Sequence, residues 1–148
     1  MVWRHLQTTL ARASADEVMS GPGLHNIYTP LANDASAPVA FTEPAQITEA
    51  ALNGTCKIAE ATLTQFCRIM GSFAGNLALN MATTGGIFIG GGIANRFPEF
   101  IQNSDFRARF EAKGQMKHYV KDIPTFLIAE PDHGLLGAAA YLNQNTAS

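Results

Sequence analysis

The run Gly85-Gly86-Ile87-Phe88-Ile89-Gly90-Gly91-Gly92-Ile93 leaves this chain few ways to fold. Large apolar residues, two of them β-branched, stand between glycines. That pattern predicts a short strand buried on both faces, as in a parallel sheet. The glycines after it permit positive φ and leave backbone N–H groups uncovered. Asn95 can cap a helix beginning near Arg96, with Pro98 in its first turn. A strand, a bare glycine turn and a helix start together suit phosphate or the sugar of a nucleotide. The same glycines would also serve if two elements merely packed closely here. A dinucleotide fingerprint is excluded, because its third glycine would fall at Asn95, counting from Gly90 and Gly92. A Walker A loop is excluded too, since no Gly-Lys-Ser or Gly-Lys-Thr occurs.

The longest predicted element runs from about Thr55 to Ala82. Within it Ala59, Leu63, Phe66, Met70, Phe73, Leu77 and Met81 recur at the helical period. No charge falls between Arg68 and Arg96, so its second half is expected to be buried nearly all round. Gly71, Ala74, Gly75 and Ala78 form a small-residue face that admits another backbone. Before it come a helix from Val2 to Ala13 and a short turn from Ala15 to Met19 capped by Ser14. The turn Ser20-Gly21-Pro22-Gly23 then leads into a helix to about Leu31. A polar loop spans Asn33 to Pro44, and a short helix capped by Thr48 ends at Asn53-Gly54. After the central strand a helix ends near Gln102. Another, capped by Ser104, turns Phe106 and Phe110 inward until Gly114 breaks it, and Gln115 to Val120 is a further short turn. Pro124 to Ala129 reads as a second strand, and Asp132 can cap a last helix from Gly134 to Asn143. This is an α/β layout, helix-rich in front, with two adjacent parallel strands.

A chain of 148 residues suffices for one domain with a core. Hydrophobic residues make up 47% and charged residues only 15%, which points to apolar surface normally covered by another domain or subunit. A net charge of −2 gives no broad basic face for nucleic acid. Cys56 and Cys67 would lie about three helical turns, roughly 16 Å, apart, too far for a disulfide. Both therefore read as buried thiols in a reducing compartment, the cytoplasm. His5, His25, His118 and His133 are isolated, show no metal-ligand spacing and read as surface or packing histidines. No apolar run is long enough to span a membrane. The stretch Met1 to Ala15, with Arg4, Arg12 and no acid, faintly resembles a transit peptide. The better reading is an amphipathic helix opening a chain cut from something longer.

Several segments, in order, carry a family resemblance. They are Ser14-Ala15-Asp16-Glu17-Val18-Met19-Ser20-Gly21-Pro22-Gly23-Leu24, Phe66-Cys67-Arg68-Ile69-Met70-Gly71, Gly75-Asn76-Leu77-Ala78-Leu79-Asn80, Gly86 to Ile93, and Gly134-Leu135-Leu136-Gly137. Phe106-Arg107 and Asp122-Ile123-Pro124 agree as well. Together they resemble the bacterial ATP-dependent glucokinases of the hexokinase and actin-like superfamily. The resemblance implies the C-terminal part of a ribonuclease H-like, actin-like ATPase fold: residues 1–148 form the nucleotide-side domain, and an N-terminal domain is missing. It implies glucose and ATP as substrates, Mg²⁺, the first step of glycolysis and a homodimer. Gly90, Gly91, Gly92, Ile93 and Asn95 would approach the nucleotide from one side, Ser20 and Gly21 from the other.

The family usually places a glutamate, then a basic residue, just before the second of these turns, and the acid hydrogen-bonds glucose. Here the pair is Asp16-Glu17. Either Asp16, one methylene shorter, reaches the sugar, or Glu17 takes the role; Asp16 is the favoured ligand. The family's Asp-x-Gly-Gly-Thr phosphate loop, its Asn-Asp pair with the proton-accepting aspartate and its Glu-Gly-Gly-His sugar contact have no counterpart here. The expectation is a kinase fragment that does not phosphorylate glucose by itself. The alternative is a non-catalytic sugar- or nucleotide-binding or assembly module derived from such a kinase.

Overall fold

A twenty-four-residue helix, Lys57–Asn80, is the post around which the other elements pack. The structure is a computed structural model and describes residues 2–9, 14–130 and 132–146. In chain order the elements are α1 (Val2–Thr9), α2 (Asp16–Met19), α3 (Gly21–Asp34), α4 (Pro44–Leu52), α5 (Lys57–Asn80), β1 (Ile87–Ile89), α6 (Pro98–Gln102), α7 (Phe106–Glu111), α8 (Lys117–Val120), β2 (Thr125–Leu127) and α9 (His133–Thr146). Short 3-10 turns, Ala94–Arg96 and Gly114–Met116, precede α6 and α8. The residues from Leu10 to Ala13, expected to finish the first helix, lie outside the described residues.

The helical period of α5 delivers Ala59, Leu63, Phe66, Cys67, Met70, Ala74 and Ala78 to one buried core with Leu24, Ile27 and Tyr28 of α3. Phe97 closes it edge-on against Phe66, at 5.8 Å between ring centroids. The small-residue face works as expected: α7 crosses so closely that a Cβ on Gly71 would strike the Phe106 carbonyl and one on Gly75 the Phe110 carbonyl. Arg68 on α5 pairs with Asp105, the residue before α7, at 2.6 Å.

The second half of α5 is not buried all round. Phe73 and Leu77 are more than a third exposed and Met81 is 74% exposed, because α3, α4 and α7 cover only one side of the helix. Capping also departs from expectation. Glu43 and Gln46 form a reciprocal capping box, so α4 starts at Pro44, and Thr48 sits inside it, donating to the Pro44 carbonyl at 3.0 Å. Before α2 the Ser14 carbonyl, not its hydroxyl, accepts from Glu17. Asn53 ends α4 before Gly54, whose φ is +67°.

β1 and β2 pair in parallel, with Ile87 opposite Thr125, Phe88 opposite Phe126 and Ile89 opposite Leu127. The expected burial on both faces fails. Ile87, Ile89 and Leu127 face the core, but Phe88 is 66% and Phe126 45% exposed. These two rings stack on each other at 5.0 Å because among the described residues no layer covers that face. The parallel register brings both strand exits to the same end of the sheet.

Candidate functional site

β1 hands the chain to Gly90 at the sheet's C-terminal end, where ligands of open α/β folds bind. Gly91 turns the backbone with φ +127°, a conformation that side-chain-bearing residues rarely adopt. Ile93 then starts a tight turn: Asn95 N–H donates to the Gly91 carbonyl at 3.3 Å and Arg96 N–H to the Ile93 carbonyl at 3.1 Å. The N–H groups of Gly90, Gly91, Gly92 and Ile93 find no acceptor among the described residues. A Cβ on Gly91 or Gly92 would meet only open space, so no neighbouring element crowds these two positions.

Asn95 does not cap a helix. It lies inside the 3-10 turn, and α6 begins later, at Pro98, with Phe97 before it. Pro98 lacks an N–H and so suits that first position, which moves the helix start past Asn95. The Asn95 Oδ1 is buried and finds no hydrogen-bond partner among the described residues.

Ser20 caps α3, its Oγ accepting from Gly23 N–H at 3.2 Å. Gly21 and Pro22 form the first turn of that helix; Pro22 has no N–H and those of Gly23 and Leu24 donate to Ser20, which leaves the Gly21 N–H as the one leading donor without a partner among the described residues. The two expected nucleotide segments do meet: a Cβ on Gly21 would stand 3.6 Å from the Cδ1 methyl of Ile93. A helix N-terminus and a row of unpaired amides therefore share one corner, an arrangement that attracts anions.

Asp16 and Glu17 open α2, which is locked to α3 because Gly23 lets the Val18 backbone approach where a Cβ would clash. Their surroundings differ. The Asn26 amide donates to the Glu17 carbonyl oxygen at 2.9 Å and reaches its Oε2 at 3.5 Å. The Asp16 carboxylate is exposed and without a partner among the described residues.

Away from this corner, a cleft of about 390 Å³ opens between the sheet and α6–α7, lined by Ile89, Pro98, Ile101, Phe106, Arg107 and Phe126 among others. None of the expected site residues lines it. His133, read from the sequence as a surface or packing residue, is half-buried and packs at this corner. Its ring faces Gly90 across the two strand exits. The available signal was topological: parallel neighbours end side by side, so the residue opening the helix after β2 must lie near the turn after β1.

The glucokinase family model matches residues 1–145. A glucokinase of Colwellia psychrerythraea is 46% identical across 97% of this chain, which corresponds to 45% of that relative. A glucokinase of Yersinia pestis is 49% identical across 94% of this chain and 43% of its own length. The fold superposes on the crystal structure of a glucokinase from an Antarctic psychrotroph with a TM-score of 0.88 at 37% identity, covering 97% of this chain and 44% of the other. The chain thus spans less than half the length of these relatives, and its helices and short parallel sheet are part of an actin-like kinase fold. With nearly every residue inside the match, and the helix post, glycine turn and paired strands in one superposable arrangement, the chain belongs to the glucokinase family.

Proposed function

We propose that this chain is the nucleotide-side part of a kinase that moves the γ-phosphoryl group of ATP to the 6-hydroxyl of glucose, the opening step of glycolysis in the cytoplasm. One observation carries the reading: the unpaired amides of Gly90–Ile93 stand against the N-terminus of α3 through the Ile93–Gly21 contact. On this reading the amides of Gly91, Gly92 and Ile93 and the start of α3 at Ser20 and Gly21 hold phosphate oxygens. Asn95 borders the turn and holds its shape through the bond to Gly91. Asp16 is the sugar ligand on this reading, because its carboxylate has no partner among the described residues, while one oxygen of the Glu17 carboxylate faces the Asn26 amide at 3.5 Å.

Among the described residues no three His, Cys, Asp or Glu side chains converge to hold a metal ion. The described residues form no cage for Mg²⁺, and the ion is assigned to the phosphates of the nucleotide. The group that removes the proton from the sugar hydroxyl is assigned to the portion of such kinases that this chain does not span. General-base help is worth about 10²–10⁴-fold, and phosphoryl transfer also needs clamps on both sides of the phosphates. The chain alone is thus expected to bind nucleotide without turning glucose over. A homodimer of the complete enzyme is part of the proposal, and sedimentation of a full-length relative tests that clause.

Calorimetric titration of the purified chain with ATP and Mg²⁺ tests the main reading. Saturable binding that is lost in a chain with Gly21 and Gly92 both changed to Val supports it. No heat up to millimolar nucleotide overturns it. A coupled assay with glucose and Mg-ATP tests the second clause: robust turnover, free of contaminating kinase, would refute the assignment of the base elsewhere.

A further inference from the structure

Because β1 and β2 run parallel and in register, the first residue of α9 lies over the glycine turn. The His133 ring stands there. A Cβ on Gly90 would fall 3.1 Å from its Nε2 and 3.4 Å from the Cδ1 of Ile128. The ring's Nδ1 lies 2.7 Å from the carbonyl oxygen of Glu130. A carbonyl only accepts, so Nδ1 carries the proton, and in the neutral ring Nε2 presents a lone pair. The nitrogen facing the turn is therefore an acceptor, and nothing among the described residues donates to it.

The corner is thus divided in polarity. The amides from Gly91 to Ile93, with the start of α3 beyond them, offer donors to phosphate oxygens. His133, at the Gly90 end, offers an acceptor instead. The chain advances at most about 3.5 Å per residue, so the Gly91 amide lies within roughly two residue lengths of Nε2 and the Ile93 amide within about four. A ligand that fits must carry hydrogen-bond donors right beside its phosphates. In a nucleotide those donors are the ribose hydroxyls; the base lies farther off.

We propose that His133 Nε2 accepts a hydrogen bond from a ribose hydroxyl of the nucleotide, making it a positioning residue that favours ribonucleotides. The proposal rests on the phosphate reading of the glycine turn given above. The Glu130 carbonyl fixes the ring's tautomer and orientation, and Gly90 leaves the room a side chain would fill.

The test is a titration of the wild-type chain, His133→Leu and His133→Gln with ADP, 2′,3′-dideoxy-ADP and inorganic pyrophosphate, with far-UV circular dichroism to check folding. One hydrogen bond corresponds to about a three- to ten-fold change in affinity. The Leu variant should lose that factor for ADP, and the Gln variant, which keeps an acceptor oxygen, should recover part of it. Dideoxy-ADP should bind the wild type as weakly as ADP binds the Leu variant, and pyrophosphate should bind all three chains equally. Equal ADP affinity in the wild type and the Leu variant would overturn the proposal. So would a loss that pyrophosphate shares in full. If the Leu variant does not fold, the wild type decides alone: equal affinity for ADP and dideoxy-ADP rejects the ribose contact, and a three- to ten-fold preference for ADP supports it. If neither ADP nor pyrophosphate binds the wild type, the phosphate reading fails first and this inference fails with it.

Discussion

The guanidinium of Arg107 donates from Nη1 to the carbonyl oxygen of Ile123 at 2.8 Å, tying α7 to the segment that enters β2. Its Nη2 donates to the Lys121 carbonyl at 2.6 Å and its Nε to Glu111 at 2.7 Å. The same group lies 4.8 Å from the Phe110 ring centroid. One planar fork therefore satisfies two backbone acceptors that no other side chain in the described residues reaches. Arg107→Ala should cost about 2 kcal/mol, because charge-assisted hydrogen bonds are lost and the Ile123 carbonyl is left beside the core. Arg107→Lys should recover only part, since an ammonium cannot span both carbonyls. Urea denaturation reads this as a lower midpoint at unchanged slope. A midpoint equal to wild type for Arg107→Ala would show the fork to be incidental.

The crossing of α5 and α7 gives a sharper packing test. At Gly71 and Gly75 the obstruction is a backbone carbonyl, of Phe106 and Phe110 respectively, and backbone cannot step aside like a flexible side chain. Gly75→Leu should cost roughly 1–3 kcal/mol through overpacking, and Gly71→Ala should also destabilise, although alanine is the better helix former. Gly54→Ala is the contrast: nothing lies within 4 Å, and its φ of +67° makes the penalty one of backbone strain alone. If thermal unfolding found Gly71→Ala more stable than wild type, the close approach of α7 would be wrong.

What the sequence made legible were features written in a period or in a residue's own chemistry. The parallel pairing of the two strands follows from the order of elements, while the three-and-four spacing on α5, its glycine face, the inward Phe106 and Phe110 and each strand itself depend on nearby residues. Burial of Phe88 did not. An apolar strand residue is buried only if something lies over it, and the layer opposite Phe88 and Phe126 is not supplied by the described residues. The same limit explains Phe73 and Leu77. Caps misled for a local reason: several polar residues near each helix start could serve, and at α4 it is Glu43, five residues before Thr48, that does. At the site, the glycine turn and the α3 start were each visible. Their meeting through Ile93 and Gly21 joins residues far apart in the chain, and only the family resemblance implied it.

Cys67 should behave as an inert thiol. Burial raises its pKa to about 11 from an ordinary 9.0, outweighing a hydrogen bond from Ser104 that lowers it. At pH 8 a thiol reagent should modify the half-buried Cys56 and leave Cys67 untouched until the chain unfolds. The stability consequence has a definite sign. The folded pKa lies above the unfolded one, so the unfolded chain loses its proton first as pH rises. Stability from this group is complete below about pH 9 and declines between pH 9 and 11. Cys67→Ala should flatten that decline at the expense of a small cavity. Two thiols modified at equal rates in the native chain would contradict the burial.

Gly91 and Gly92 separate folding from binding. At Gly91 the φ of +127° makes any side chain strained, though open space surrounds the missing Cβ. Gly91→Ala should therefore lose about 1–3 kcal/mol of stability and disturb the turn's amides along with it. Gly92 has neither a positive φ nor a neighbour within 4 Å, so Gly92→Ala should leave stability within about 0.5 kcal/mol of wild type. If the turn binds phosphate as proposed, the new methyl would crowd the backbone that the nucleotide approaches, and ADP affinity should fall several-fold. Calorimetry with ADP, run beside thermal unfolding of both variants, reads the two effects separately. A Gly92→Ala chain that binds ADP as tightly as wild type would show that the nucleotide does not approach the backbone there, and with it the phosphate assignment of the turn would fall.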